Sequence, residues 1–70
     1  MATMKIGARI AHRREQRGWS QTELASRLGV TVSAVSLWEA GRTMPRRDRV
    51  AEIAKVLGCN VKLLIAGMFA

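Results

Sequence analysis

Of the 70 residues, twelve are Lys or Arg and five are Asp or Glu; nine of the twelve cations are arginines, and the formal net charge is +7. A guanidinium stays charged at any ordinary pH and presents a planar fork of donors that matches phosphate oxygens. A surplus of this size points to a polyanionic partner. Covalent chemistry is poorly served by contrast. His12 is the only histidine, Cys59 the only cysteine, and no serine stands in a nucleophile-elbow context, so no set of nucleophile, base and orienting group can be assembled. The expectation is a protein that is not an enzyme. One cysteine can form neither an internal disulfide nor a cysteine-based zinc site, so no metal, no cofactor and a reducing cytoplasm are expected. Cys59 itself reads as a small buried hydrophobe and His12, beside Arg13 and Arg14, as solvated or near a phosphate.

These side chains need a scaffold, and 70 residues leave room for one domain with one modest core, spanning residues 1–70. About half the residues are apolar, yet only Trp19, Trp38 and Phe69 are aromatic, so Leu, Ile, Val, Ala and Met must fill that core. That composition suits a compact all-helical fold. No apolar run approaches the roughly 20 residues of a membrane span, and the first residues lack the apolar centre of a secretory signal.

Five helices are predicted, over about 5–17, 21–28, 32–40, 48–57 and 61–66. In the first, Ile6 and Ile10 share a face, with Gly18 placed to close the helix in a left-handed conformation. Ser20 with Glu23 three residues on forms a capping box that starts the second, whose inner stripe is Leu24, Ala25 and Leu28. Gly29 ends it, and Gly29, Val30 and Thr31 leave space for only a tight turn, with Thr31 as the next N-cap. In the third, Val35 and Trp38 face inward, which turns Val32, Ser33, Ser36 and Leu37 outward. Val50, Ile53, Ala54 and Leu57 repeat at helical spacing up to Gly58, and Asn60 can cap a last, nearly all-apolar helix.

The run from Gln21 to Arg42, QTELASRLGVTVSAVSLWEAGR, resembles the helix-turn-helix of phage repressors and Cro proteins, the XRE-like transcriptional regulators. The likeness extends from about Ile6 through Gly67, taking in the Arg14 to Gln21 approach, the Trp38 to Arg42 exit with Pro45, and the tail after Ala54. It implies a five-helix, lambda-repressor-like fold and a sequence-specific regulator on double-stranded DNA, with repression from a two-fold symmetric operator as the expected outcome. Residue types alone support the frame: Ala25 is small where two helices cross, Gly29 accommodates the left-handed turn, and Val35 plugs the angle. Such a turn projects the outer face of the third helix, which fits a major groove about 12 Å wide.

By the same resemblance, Ser20 and Gln21 at the start of the second helix grip phosphate, while Arg42, Arg46 and Arg47 follow the DNA backbone. Base readout falls to Thr31, Val32, Ser33, Ser36 and Leu37, where better-known relatives carry glutamines. None of these five can make a bidentate contact to guanine or adenine. Direct readout would therefore rest on the Ser33 and Ser36 hydroxyls and on apolar contact of Val32 or Leu37 with thymine methyls, with Arg47 sensing a narrow A·T-rich minor groove. The alternative for Leu37 is a place in the core. Relatives pair the residue at Arg14 with a glutamate at the end of the reading helix, here Glu39, and Arg14 shares the Ile6 and Ile10 face where a charge needs a partner.

One copy would cover few base pairs, so a homodimer is expected, with Leu63, Ile65, Met68 and Phe69 as candidate interface residues. No small-molecule ligand and no membrane are implied. Ending at Phe69 and Ala70 without a polar linker favours a complete Cro-like protein over the front of a longer repressor. The competing reading is an interaction module of the same fold whose main partner is another protein.

Overall fold

The computed structural model describes residues 6–65. The described residues form five α-helices in the order α1 (Ile6–Gln16), α2 (Gln21–Leu28), α3 (Val32–Glu39), α4 (Arg47–Leu57) and α5 (Val61–Ile65), with no strand among them. Local chemistry sets most of the boundaries. Ser20 Oγ accepts the Glu23 N–H at 3.1 Å and Thr31 Oγ1 accepts the Ala34 N–H at 3.1 Å, satisfying donors that a helix start leaves free. Asn60 Oδ1 accepts the Lys62 N–H at 2.9 Å at the start of α5. The Glu23 carboxylate pairs with Arg27 at 3.0 Å, one turn on.

The first four helices close alike. A residue after each helix donates its N–H to the carbonyl five back: Trp19 to Arg14, Val30 to Ala25, Arg42 to Leu37 and Cys59 to Ala54. This is the Schellman closure, and the glycine inside each loop has φ between 71° and 75°. The structure also corrects three expected boundaries. Arg17 lies in the closing turn of α1 rather than in the helix, and Ala40 is the C-cap of α3, because the tightened last turn takes these residues out of the regular ladder. Helix α4 begins at Arg47, one residue before Asp48, with Arg46 as its extended N-cap. Ala66 and Lys5, expected in helices, lie outside the described residues.

Each helix supplies one side chain with no exposed surface: Ile10, Leu24, Val35, Ile53 and Leu64. Around them pack Ile6, Ala25, Leu28, Trp38, Val50, Ala54 and Leu57. Helix α3 is held between α2 and α1, while α5 packs on α1 and α4. Two arginines of the α1 region reach across the bundle to backbone: Arg9 donates to the Leu63 carbonyl at 2.8 Å and Arg17 to the Leu57 carbonyl at 2.9 Å. Both carbonyls lie at or near a helix C-terminus, where a cation is favoured by the helix dipole. The Arg17 and Arg27 guanidiniums lie over the Trp19 ring, 5.2 Å and 4.1 Å from its centre, close enough for cation–π attraction.

Candidate nucleic-acid interface

The geometry of the exposed α3 face begins with the α2 to α3 turn. Gly29 has φ 71° and ψ 31°, a conformation a Cβ would strain, and this reverses the chain within Gly29, Val30 and Thr31. Ala25, only 2% exposed, lets the two helices approach closely. Val35 and Trp38 are then buried at 0% and 8% exposure, so α3 shows its other side to solvent.

On that side the structure brings together Thr31, Val32, Ser33, Ser36 and Leu37, all exposed. Leu37 is 39% exposed and Val32 42%, which removes the alternative of a core-facing Leu37. Two large apolar side chains held in water, flanked by hydroxyls, make a surface suited to apolar contact in a partner.

Behind the end of α3 lies a cluster of charged and amide groups. Glu39 Oε2 accepts Arg14 Nε at 2.8 Å, and its Oε1 accepts both Arg14 Nη2 and Gln21 Nε2 at 3.0 Å. Arg14 Nη1 donates to the Trp19 carbonyl at 2.7 Å. The two ionic side chains are 14% and 7% exposed, so the fork is largely withdrawn from solvent screening. The hydrogen bond to Glu39 is the main cause that raises the Arg14 guanidinium above its ordinary range; burial opposes it, and the charges of Glu39 and Glu15 add to it. A folded value above the unfolded one means the stabilisation is complete below the ordinary guanidinium range. It is lost only as pH climbs through the raised value, so the fork is no switch near neutrality.

Gln21, placed by sequence at the phosphate, is half-buried and held by Glu39 through one amide hydrogen. Sequence reasoning missed this link, because nothing local ties residue 21 to residue 39. Ser20 is exposed at the same helix start. Arg42, Arg46 and Arg47 are exposed in and after the α3 to α4 loop. No side chain caps α4, so its start presents backbone N–H groups beside Arg46 and Arg47. Among the described residues no group of His, Cys, Asp or Glu is placed to hold a metal, and no helix is long and apolar enough to cross a membrane.

Of the candidate dimer residues, Leu63 is 48% exposed, while Ile65 is half-buried and lines an apolar cleft of about 500 Å³ with Met44, Pro45, Val50 and Val61. Two residues apart on a helix, they turn to different sides of α5. Met68 and Phe69 lie outside the described residues.

Residues 10–64 match the helix-turn-helix family HTH_3. The chain belongs to that family. Repressor protein C2 of Salmonella phage P22 is 33% identical over 67 residues, covering 96% of this chain and 31% of the phage protein. The crystal structure of the P22 c2 repressor with a synthetic operator matches at TM-score 0.86 and 32% identity, over 93% of this chain and 98% of that one. SinR solved with DNA matches at TM-score 0.80 and 33% identity, over 86% of this chain and 97% of that one. The helix-turn-helix unit also occurs inside an enzyme: hydroxypropylphosphonic acid epoxidase from S. wedmorenis matches at TM-score 0.78 and 33% identity, over 84% of this chain but 31% of that one. This chain spans less than half the length of the first curated relatives it matches.

Proposed function

We propose that this chain is a transcriptional regulator that binds double-stranded DNA sequence-specifically and represses from a two-fold symmetric operator, with α3 in the major groove. The observation that carries it is the exposed outer face of α3, flanked on one side by the start of α2 and on the other by Arg42, Arg46 and Arg47. An α-helix presented this way fits the groove, with the neutral donors of Ser20 and Gln21 on one flank and cations on the other to meet the two phosphate walls.

Roles follow from the chemistry of each group. Ser20 Oγ accepts its capping bond and so keeps its hydroxyl hydrogen for a phosphate oxygen. Gln21, oriented through Glu39, has a second amide hydrogen for the same strand. Arg46 and Arg47 add charge where the uncapped α4 start already attracts anions. Thr31, Ser33 and Ser36 offer hydroxyls to base edges, and Val32 and Leu37 contact thymine methyl groups. With so few directional groups, part of the selectivity comes from DNA shape, sensed by Arg47 in a narrow minor groove.

The active species is a homodimer joined through the α5 end, where Leu63 supplies exposed apolar surface and Ile65, Met68 and Phe69 are the other candidate contacts, and it acts without catalysis in the cytoplasm. Selection from random duplexes should return two half-sites about one helical turn apart, with A·T preference and steep salt dependence. A half-site dominated by guanine with no preference between the half-sites would refute the readout scheme. Retention of a protein partner with no salt-sensitive DNA binding would refute the DNA reading.

A further inference from the structure

Gly7 lies inside α1, buried, between Ile6 and the turn that carries Ile10. A Cβ there would overlap the Trp38 carbonyl oxygen and would sit 3.0 Å from the Trp38 carbonyl carbon and 3.2 Å from Glu39 Cα. All three are backbone atoms, so no side chain can swing aside to make room. Gly7 stands in the first turn of α1, and the absence of a Cβ there is what this contact requires. Backbone of α1 rests directly on the last turn of α3.

Seven residues further along α1, roughly 10 Å at the rise of a helix, Arg14 forks onto Glu39. One face of α1 therefore touches the same end of α3 twice, once by close packing and once by charge-assisted hydrogen bonds. The opposite end of α3 is fixed to α2 by the tight turn, where the Val30 N–H meets the Ala25 carbonyl at 3.0 Å. Ser36 and Leu37 directly precede Trp38, and their carbonyls accept the Ala40 and Arg42 N–H groups of the closing turn. Val32 and Ser33 belong to the end held by α2.

We propose that Gly7 is a positioning residue for the reading helix: together with Arg14 it forms a two-point clamp that sets how α3 lies, and so determines which bases Ser36 and Leu37 can select. The proposal rests on α3 being the major-groove helix. Short side chains such as these reach base edges only within about 0.5 Å of the right placement. Long arginines on phosphates follow a small shift without loss. The clamp therefore governs specificity more than it governs attraction to DNA.

The test uses the full chain and selection from random duplexes, with affinities for the selected operator and for an unrelated duplex at several salt concentrations. Ser36→Ala and Leu37→Ala mark the base positions that those residues read. Gly7→Ala should bind the operator at least about tenfold more weakly, the order of one lost base contact, and flatten the preferences at the Ser36 and Leu37 positions. Preferences at the Val32 and Ser33 positions, affinity for the unrelated duplex and the salt slope should stay within twofold. Ile53→Ala, a core truncation in α4 away from the α1 face that meets α3, supplies the comparison for simple destabilisation.

A folded Gly7→Ala with wild-type preferences overturns the clamp, as does one that loses both affinities in the proportion shown by Ile53→Ala. If Gly7→Ala yields too little folded protein, Glu39→Asp decides. It shortens the other contact by one methylene and should flatten the same positions; unchanged preferences there overturn the clamp. A wild-type chain that holds no duplex at low salt refutes the reading of α3, and the clamp with it.

Discussion

At the C-terminal end of α3, one carboxylate is held by three nitrogen donors from two other helices, and a backbone carbonyl sits against a helix with no space for a methyl group. Within two turns, on the outer face of the same helix, Val32, Ser33, Ser36 and Leu37 stand in solvent. The eight residues of α3 thus combine a tightly determined mounting with a loosely determined surface. The mounting is built from charge-assisted bonds and close packing, which resist displacement, and the surface from groups that the proposal assigns to DNA contact. On that proposal stability and recognition are carried by different atoms of one short element, so substitutions should separate them.

The sharpest break should come from Arg14→Met, which leaves the nearly buried Glu39 carboxylate with only the Gln21 amide. Denaturant titration should show a loss of about 3 kcal/mol, and operator affinity should fall beyond what the unfolded fraction explains. Equal melting and binding would mean that the fork does no mounting. Val35→Ala, on the inner side of α3, should cost roughly 2 kcal/mol through the cavity it leaves, read as a lower Tm. Arg47→Ala tests the flank: Tm should hold, affinity should drop on every sequence, and the slope of log K against log salt should shrink by about 1. If A·T preference at the operator centre also survives Arg47→Ala, shape sensing by that side chain is wrong. Leu37→Ala should be the mildest for folding, within about 0.5 kcal/mol, while relaxing preference at a single base position. A large stability loss there would erase the contrast between the two sides of α3.

The parts of this arrangement that could be read from sequence are those whose cause is local. Ser20, Thr31 and Asn60 act on N–H groups two or three residues away, and Gly18, Gly29, Gly41 and Gly58 close helices within their own turns, so residue type and spacing suffice. The inner stripes were legible because helical period alone separates Val35 and Trp38 from Ser36 and Leu37. The Arg14 and Glu39 pairing came from family resemblance, with only the burial of Arg14 readable from period. Contacts between distant segments left no such trace. Gly7 against Trp38, Gln21 against Glu39, and Arg9 and Arg17 against the Leu63 and Leu57 carbonyls depend on how helices cross. One hint was present: a glycine inside the first helix, beside its apolar stripe, is the residue a close crossing requires. The start of α4 was misplaced by one residue because Arg46, its N-cap, lacks the side-chain bond by which such positions are recognised.

The outward position of Val32, Ser33, Ser36 and Leu37 also bears on how this protein can change. Since none of the four belongs to the core, random drift at these positions meets almost no folding penalty, and a library randomised there would consist mostly of folded members. New operator preferences should therefore be reachable one substitution at a time, through intermediates that all remain viable proteins. The same freedom would be lost if the recognition groups doubled as packing groups.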